Sequence, residues 1–449
     1  MSVQLEQPER ETFKQALQSL WMQVEGGDGL ERIRQKAWQC FLSLDLPSKR
    51  HEAYRNIKLR HLFSHSLRQA DLPVITRDQL LPWIYPECRD SVLVFVNGRY
   101  KPEWSSLEAL PPKVEVSLLP EAMQTFGTLL HNYWMQSLKE ETDPFVALNA
   151  ALHTNGLFLY FPPKTVVEQP IQLLHLIDHG DQWPMLLPRL QLFVGAHADV
   201  RLIHVQRPLS ATPYCVNQVV ECVVDERASL HYTQVLCDEH PQAWHLDALR
   251  ATLKRRSVLK TVCATTGSMG LRNDYKIALA GEEAEALLNG VWILREQRSA
   301  HIHVLMDHQA PACRSYQLFK GVLYDHSRSS FEGKIMVRQA AQKTDAFQLN
   351  NNLLLSDLAR ADSKPNLEIF ADDVKASHGA TIGQLDPEQL FYMKTRGCAE
   401  ATAKNLLVEG FCAPILDIIP VSSLRREIGA LALEPLPQES HDASISSSQ

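Results

Sequence analysis

Three stretches decide the fold: Ala198-Asp199-Val200-Arg201-Leu202-Ile203-His204-Val205, Ala228-Ser229-Leu230-His231-Tyr232-Thr233-Gln234-Val235-Leu236 and Ser257-Val258-Leu259-Lys260-Thr261-Val262-Cys263. Each opens on a small residue and continues as an apolar, β-branched run, and the openings stand 30 and 29 residues apart. Further along the rhythm halves, with Ser315, Ser329, Ala346 and Ala361 spaced by 14, 17 and 15. Over 331–337, Phe331, Gly333, Ile335 and Val337 alternate with Glu332, Lys334 and Met336, the period of a strand with one buried face. Strand segments that recur without amphipathic helices between them suit a β-solenoid, where each coil buries its inner face by stacking on its neighbours. An ordinary antiparallel sandwich satisfies the same pattern and stays open at this point.

Outward from that core the texture changes. Residues 1–155 read as a mainly helical region with a short β unit. Leu30, Ile33, Ala37, Cys40 and Phe41 recur at helical spacing and stop at Leu46-Pro47. Val92–Val96 is an apolar run closed by the turn signal Asn97-Gly98. From Phe145 the chain reads as helix again up to 154–156, and Leu157–Phe161 starts a strand that Pro162-Pro163 ends. The β core is then placed at 156–385 and a C-terminal helical region at 386–437, with a polar, disordered tail at 438–449. In that helical region Asp386 caps a helix with Pro387 at its first position, and Gly397 stops it. A second helix is expected over 399–409, closed by Gly410, and a third over 422–433, capped by Ser422 or Ser423.

Composition narrows the functional classes. A formal charge of −7 argues against a general nucleic-acid binder. The polar start of the chain lacks the apolar core of a secretory signal, and no run approaches a membrane span, so a cytoplasmic protein is expected, with no membrane partner. The nine cysteines form no Cys-x-x-Cys pair, which predicts reduced, buried thiols rather than a zinc ribbon or ferredoxin site. Phosphate-loop, nucleophile-elbow and His-Glu-x-x-His motifs are lacking in the sequence.

The candidate ligands are histidines. His378 stands in the run 372–397, Asp-Asp-Val-Lys-Ala-Ser-His-Gly-Ala-Thr-Ile-Gly-Gln-Leu-Asp-Pro-Glu-Gln-Leu-Phe-Tyr-Met-Lys-Thr-Arg-Gly. It reads as a strand ending on a small-residue corner at Gly379 and Gly383, with His378 just before the corner. Imidazole suits iron or zinc; a hydrogen-bonded strand-end histidine is the plainer alternative. His301 and His303 share a face if they lie in a strand, with His308 nearby, but no third ligand at fixed spacing accompanies them. Asp372 and Asp373, on opposite faces of a strand, make a poor acid/base pair. Leu390, Phe391, Leu406, Leu407 and Phe411 belong to an apolar set that either caps the solenoid end or docks a partner, or does both on different faces.

The run 372–397 closely resembles the C-terminal signature of the SufB/SufD family, scaffold subunits of the SUF iron–sulfur cluster assembly machine. Residues 307–321, 340–346, 351–356 and 364–369 are similar to the blocks that precede that signature, and 46–52, 94–99 and 145–152 to the family's earlier ones. Gly379, where the SufB branch has Glu after the histidine, resembles the SufD branch. The resemblance implies a right-handed parallel β-helix between helical N- and C-terminal regions. It implies a non-catalytic scaffold that pairs with a SufB-type subunit and docks a SufC-type ABC ATPase through Asp386, Leu390, Phe391, Leu406, Leu407 and Phe411. His378 would meet a transient iron–sulfur cluster or iron at the partner interface, with flavin a further candidate ligand of the complex and nothing firmly bound by this chain alone. Many relatives carry Cys two residues before that histidine; here it is Ala376. A homodimer of the isolated chain, a solenoid carbohydrate hydrolase or lyase, and a structural homodimer without a metal role complete the readings.

Overall fold

The computed structural model describes residues 7–24, 26–48, 51–65, 75–153, 156–178, 183–209 and 212–433. The tail at 438–449 lies outside the described residues. Strands alternate between two parallel sheets that wind into a β-solenoid of about eight turns. Sheet 1 contains Val92–Val96, Ile171–Ile177, Asp199–Pro208, Ser229–Leu236, Val258–Thr265, Glu285–Leu294, Arg314–Leu323, Thr344–Leu354 and Val374–Gly383. Sheet 2 contains Leu157–Phe161, Arg189–Val194, Cys215–Val224, Trp244–Leu253, Gly270–Leu279, Ser299–His308, Arg328–Val337 and Arg360–Ile369. Parallel pairing throughout the coils removes the sandwich alternative.

The register explains the spacing of small residues. Ser229 pairs with Asp199 and with Val258, so the 30- and 29-residue steps are one full coil each. The apparent halving has another cause. Ser315 pairs with Ala346 on sheet 1 and Ser329 with Ala361 on sheet 2, so that sequence rhythm samples both sheets of an unchanged coil. One corner per coil is built on a non-glycine residue at positive φ: His197, Arg227, Arg256, Glu283, Ala312 and Lys343. All six of these backbone N–H groups donate to the next coil's corner, among them His197 to Glu226 O at 2.9 Å, Arg227 to Arg255 O at 3.0 Å and Ala312 to Gln342 O at 2.8 Å. That ladder offsets the cost of the left-handed conformation and satisfies amides the sheets do not reach. The next residue, Ala198, Ala228, Ser257, Ala284 or Cys313, is buried inside the bend, which is why small residues open the strands.

Helices cover both outer faces. On sheet 2 lie α1 (Gln7–Met22), α2 (Glu31–Leu44), α3 (Leu59–Phe63), α5 (Leu119–Glu140) and α6 (Pro144–Leu152), sharing a core with Phe158, Phe193, Cys215, Trp244 and Leu246. The short α4 (Arg77–Leu80) packs with the sheet 1 side instead. Periodicity offers no reading of 101–144, yet the long α5 lies there. Pro120 sits in its first turn, where proline is tolerated, and a kink at Phe126 breaks the apolar stripe. The seam is also polar and buried. Arg250 pairs with Glu141 at 2.8 Å and Asp274 at 2.6 Å, and Arg272 pairs with Asp143 at 2.9 Å and Asp274 at 2.8 Å. Tyr54 donates to Asp143 at 2.6 Å. Burial pushes the Asp274 carboxyl up, but Arg272 and Arg250 outweigh it and hold it well below the usual carboxylate range.

On sheet 1 lie α8 (Glu400–Leu416) and α9 (Ser422–Leu431), with α7 (Pro387–Thr395) against α8. Gly410 does not close α8, contrary to the sequence reading. Val408, Cys412, Ile415 and Leu416 continue one apolar stripe across it and pack with Val291, Ile293, Leu318 and Val322. Nor does a serine cap α9: its N-cap is Val421. Ser422 and Ser423 hydroxyls donate instead to Glu87 at 2.9 and 2.6 Å, and the Ser423 amide also donates to Glu87 at 3.1 Å. The carboxylate thus supplies the cap from a distant part of the chain.

The two solenoid ends differ. At the N-terminal end short antiparallel strands, Arg99–Tyr100 and Glu115–Leu118, blunt both sheets. At the other end Arg360–Ile369 and Val374–Gly383 are the terminal strands, each paired on one side only among the described residues.

Candidate functional site

His378 lies on Val374–Gly383, the last strand of sheet 1, and is solvent-exposed. The strand runs through Gly379 without a corner and ends at Gly383, which corrects the sequence reading. Leu349 on the preceding coil explains the glycine, since a Cβ at position 379 would stand 3.0 Å from Leu349 Cδ1. Ala376 shares a face with His378, the one directed to the interior, and packs on the core in register with Ala346. His378 continues a polar line there. It registers with Gln348, and Gln348 with Gln317. Gln348 Nε2 donates to Gln317 Oε1 at 3.0 Å, while Gln348 Oε1 is buried without a partner among the described residues. Gly333 on the facing sheet makes room for this amide, because a Cβ there would sit 2.2 Å from Nε2.

Around His378 the end of the solenoid carries exposed apolar groups: Leu358, Ile369, Ile382 and Phe370, the last 63% exposed. Sequence reasoning missed this rim. Nothing in local alternation marks which coil is the last; the only signal is that Phe370 follows a strand without a further strand to cover it.

The expected docking residues separate into two groups. Asp386 caps α7 by accepting from the Glu388 amide at 2.8 Å, so its side chain is used structurally. Helix α7 has no buried residue, and Phe391 is 69% exposed, with Tyr392 beside it also exposed. Leu406 on α8 is exposed, and Leu390 and Leu407 are half-buried. Phe411 is tied to the solenoid: Lys320 lies over its ring at 4.7 Å and donates to its carbonyl at 2.7 Å. Helix α8 flanks sheet 1 with α7 against it, and none of the described helices caps the end of the solenoid.

The other histidines have settled partners. His301 Nδ1 lies 2.7 Å from Ser330 Oγ and His303 Nδ1 2.6 Å from Asp274 Oδ1, both at a polar cleft of about 350 Å³. His308 Nε2 lies 2.9 Å from Ser315 Oγ. Among the described residues no three His, Cys, Asp or Glu side chains are arranged to hold a metal ion. Asp372 and Asp373 fall in the bend before the last strand rather than within a strand. All nine cysteines are free and seven are buried; burial pushes the thiols of Cys88, Cys222, Cys263 and Cys412 up to about 12. None of the described helices is long and apolar enough to cross a membrane.

Residues 175–411 match the family described as SUF system FeS cluster assembly, SufBD core domain, and residues 10–173 match the SufBD protein N-terminal region. The chain belongs to the SufBD family. A SufBD family iron–sulfur cluster assembly protein of Synechocystis is 30% identical over 402 residues, 87% of this chain and 88% of the relative. The iron–sulfur cluster assembly protein SufD of Escherichia coli is 28% identical over 429 residues, 93% of this chain and 96% of the relative. SufD of Bacillus subtilis is 25% identical over 407 residues, covering 89% and 92%. As a SufBD family protein the chain has a role in SUF iron–sulfur cluster assembly. The SufBD core match runs through His378, α7 and most of α8, so the uncapped end and the exposed helix face both lie inside it.

Proposed function

We propose that the chain is a non-catalytic, cytoplasmic scaffold subunit. It pairs through the uncapped end of its solenoid with a SufB-type subunit, and a SufC-type ABC ATPase docks on the exposed faces of α7 and α8. The observation that carries this reading is the asymmetry of the two ends. One is blunted by antiparallel strands; the other leaves two edge strands and an apolar rim open, an arrangement that invites strand pairing with another chain. His378 then stands at the seam. It supplies one imidazole to iron or to a nascent cluster, which is the cargo, and the partner supplies the thiolates, since Ala376 offers none. ATP-driven movement of the ATPase acts through α7–α9 on sheet 1 and opens the seam, which requires two conformations biased by nucleotide.

The test is an anaerobic affinity pull-down of the tagged chain from its own host. Recovery of an ABC-type ATPase together with a SufB-like chain is the expected result; recovery of the chain alone overturns the reading. The same open end favours self-pairing when the partner is missing, so the purified chain is expected as a dimer in light scattering.

A further inference from the structure

Inside the solenoid, Gln218, Asp247 and Asn273 stand in register on three neighbouring strands of sheet 2. All three are buried, with Asp247 only 4% exposed. Among the described residues, both carboxylate oxygens of Asp247, Oε1 of Gln218 and Oδ1 of Asn273 receive no hydrogen bond. The two amide nitrogens are engaged elsewhere, near His204 Nδ1 at 3.5 Å and Cys263 Sγ at 2.9 Å. Gln218, Asp247 and Asn273 line one internal cavity of about 10 Å³, with Tyr232 and Tyr275 in its wall. That is room for a single water or a single monatomic ion. The Tyr232 hydroxyl is taken by His204 Nδ1 at 2.8 Å, and Tyr275 bonds Cys263.

The charge around this cavity does not balance. His245 Nε2 lies 3.3 Å from Glu239 Oε2, and its Nδ1 lies 4.0 Å from Asp247 Oδ2, with all three side chains buried. Tyr214 donates to Glu239 and brings no charge. Even with a protonated imidazole, two carboxylates face one cation. A buried carboxylate without donors or a counter-charge is strongly unfavourable.

We propose that this cavity binds one alkali cation, Na+ or K+, held by the Asp247 carboxylate and the carbonyl oxygens of Gln218 and Asn273. Hard oxygen ligands of this kind suit hard cations. A cation in this cavity supplies the single positive charge the group lacks and is a ligand partner for oxygens that have none. A proton on Asp247 would neutralise it but serve only one of the remaining acceptors, and a water would leave the charge. The ion ties together three consecutive coils of sheet 2, independently of any role in cluster assembly.

The full-length protein is melted in NaCl, KCl or choline chloride at equal ionic strength. The expected result is a Tm that rises with the logarithm of alkali-cation concentration, and a dependence that disappears in Asp247→Asn. Crystals containing thallium(I), a scattering stand-in for an alkali cation, are expected to show an anomalous peak beside Asp247; this arm uses the unaltered chain and decides the matter if the variant fails to fold. A Tm indifferent to the cation with no thallium peak overturns the proposal in favour of a protonated acid or a water.

Discussion

His378 sits within the last strand of sheet 1, in register with Gln348 of the preceding coil. Its signature marks it out, but the glycine after it reads as a corner, whereas it is a strand residue packed against Leu349. The side chain lies on the interior line above Gln348, exposed only because no further coil covers it. His378→Ala is therefore expected to leave folding and partner recovery intact and to lower cluster yield; normal yield from the purified complex removes it from the mechanism. Ala376→Cys is expected to be tolerated, since the position is only partly buried, at the edge of the core. Glu87 is the opposite case, a residue that local sequence gives no reason to select. Burial pushes its carboxyl up, but the hydrogen bonds from Ser423 and Ser422 prevail and hold it at about 2. Its folded value lies below the unfolded one, so its stabilisation is full above the ordinary value of 4.5 and is lost as pH falls towards 2. Glu87→Gln is expected to cost about 1 kcal/mol, as for a lost helix cap, and to speed hydrogen exchange in α9.

At the scale of elements, the C-terminal helices divide their apolar residues between two tasks. Val408, Cys412, Ile415 and Leu416 are spent on sheet 1, whereas Phe391 and Leu406 face solvent. Composition alone supports either use, because both faces are equally apolar in sequence. Phe391→Ala is expected to weaken ATPase binding by about 2 kcal/mol, roughly thirtyfold in Kd, if it is an interface anchor. Unchanged affinity in calorimetry places the docking face elsewhere. The edge strands make the matching case at the solenoid end. Ile382→Lys puts a charge into the apolar rim, a device that blunts edge pairing. It is expected to turn the isolated dimer into a monomer while the melting temperature stays near that of the parent chain.

Over the whole molecule the buried polar groups set the response to acid. Burial holds His204 at about 3 and His301 and His308 at about 4, and drives His153 and His175 well below the ordinary value of 6.5. These imidazoles charge more readily in the unfolded chain, so the stability they allow is complete above pH 6.5 and declines as pH falls towards 4 and below. For His245 burial acts the same way, but Glu239 and Asp247 outweigh it and leave that imidazole raised, so it opposes the trend. Asp247 opposes it too, since burial raises that carboxyl to about 7; the lowered imidazoles outnumber these two groups and predict a midpoint in urea that drops between pH 6.5 and 4. The seam between the helical layer and sheet 2 adds a second test. Arg250→Ala leaves Glu141 and Asp274 without that partner in a buried site and is expected to cost about 3–5 kcal/mol in denaturant unfolding.

Sequence by itself determined the strands that follow Ala198, Ala228 and Ser257, their 30-residue return, the Asp386-Pro387 helix start and the family signature. Each is written in local terms: alternation, a small residue inside a bend, a cap, a contiguous motif. Tertiary structure alone decided that the helices flank the sheets, that α8 runs through Gly410, that Glu87 caps α9, and that Gln218, Asp247 and Asn273 line one buried cavity. Those outcomes depend on which distant surfaces are buried against one another, and burial between residues far apart in the chain leaves no periodic trace in either partner.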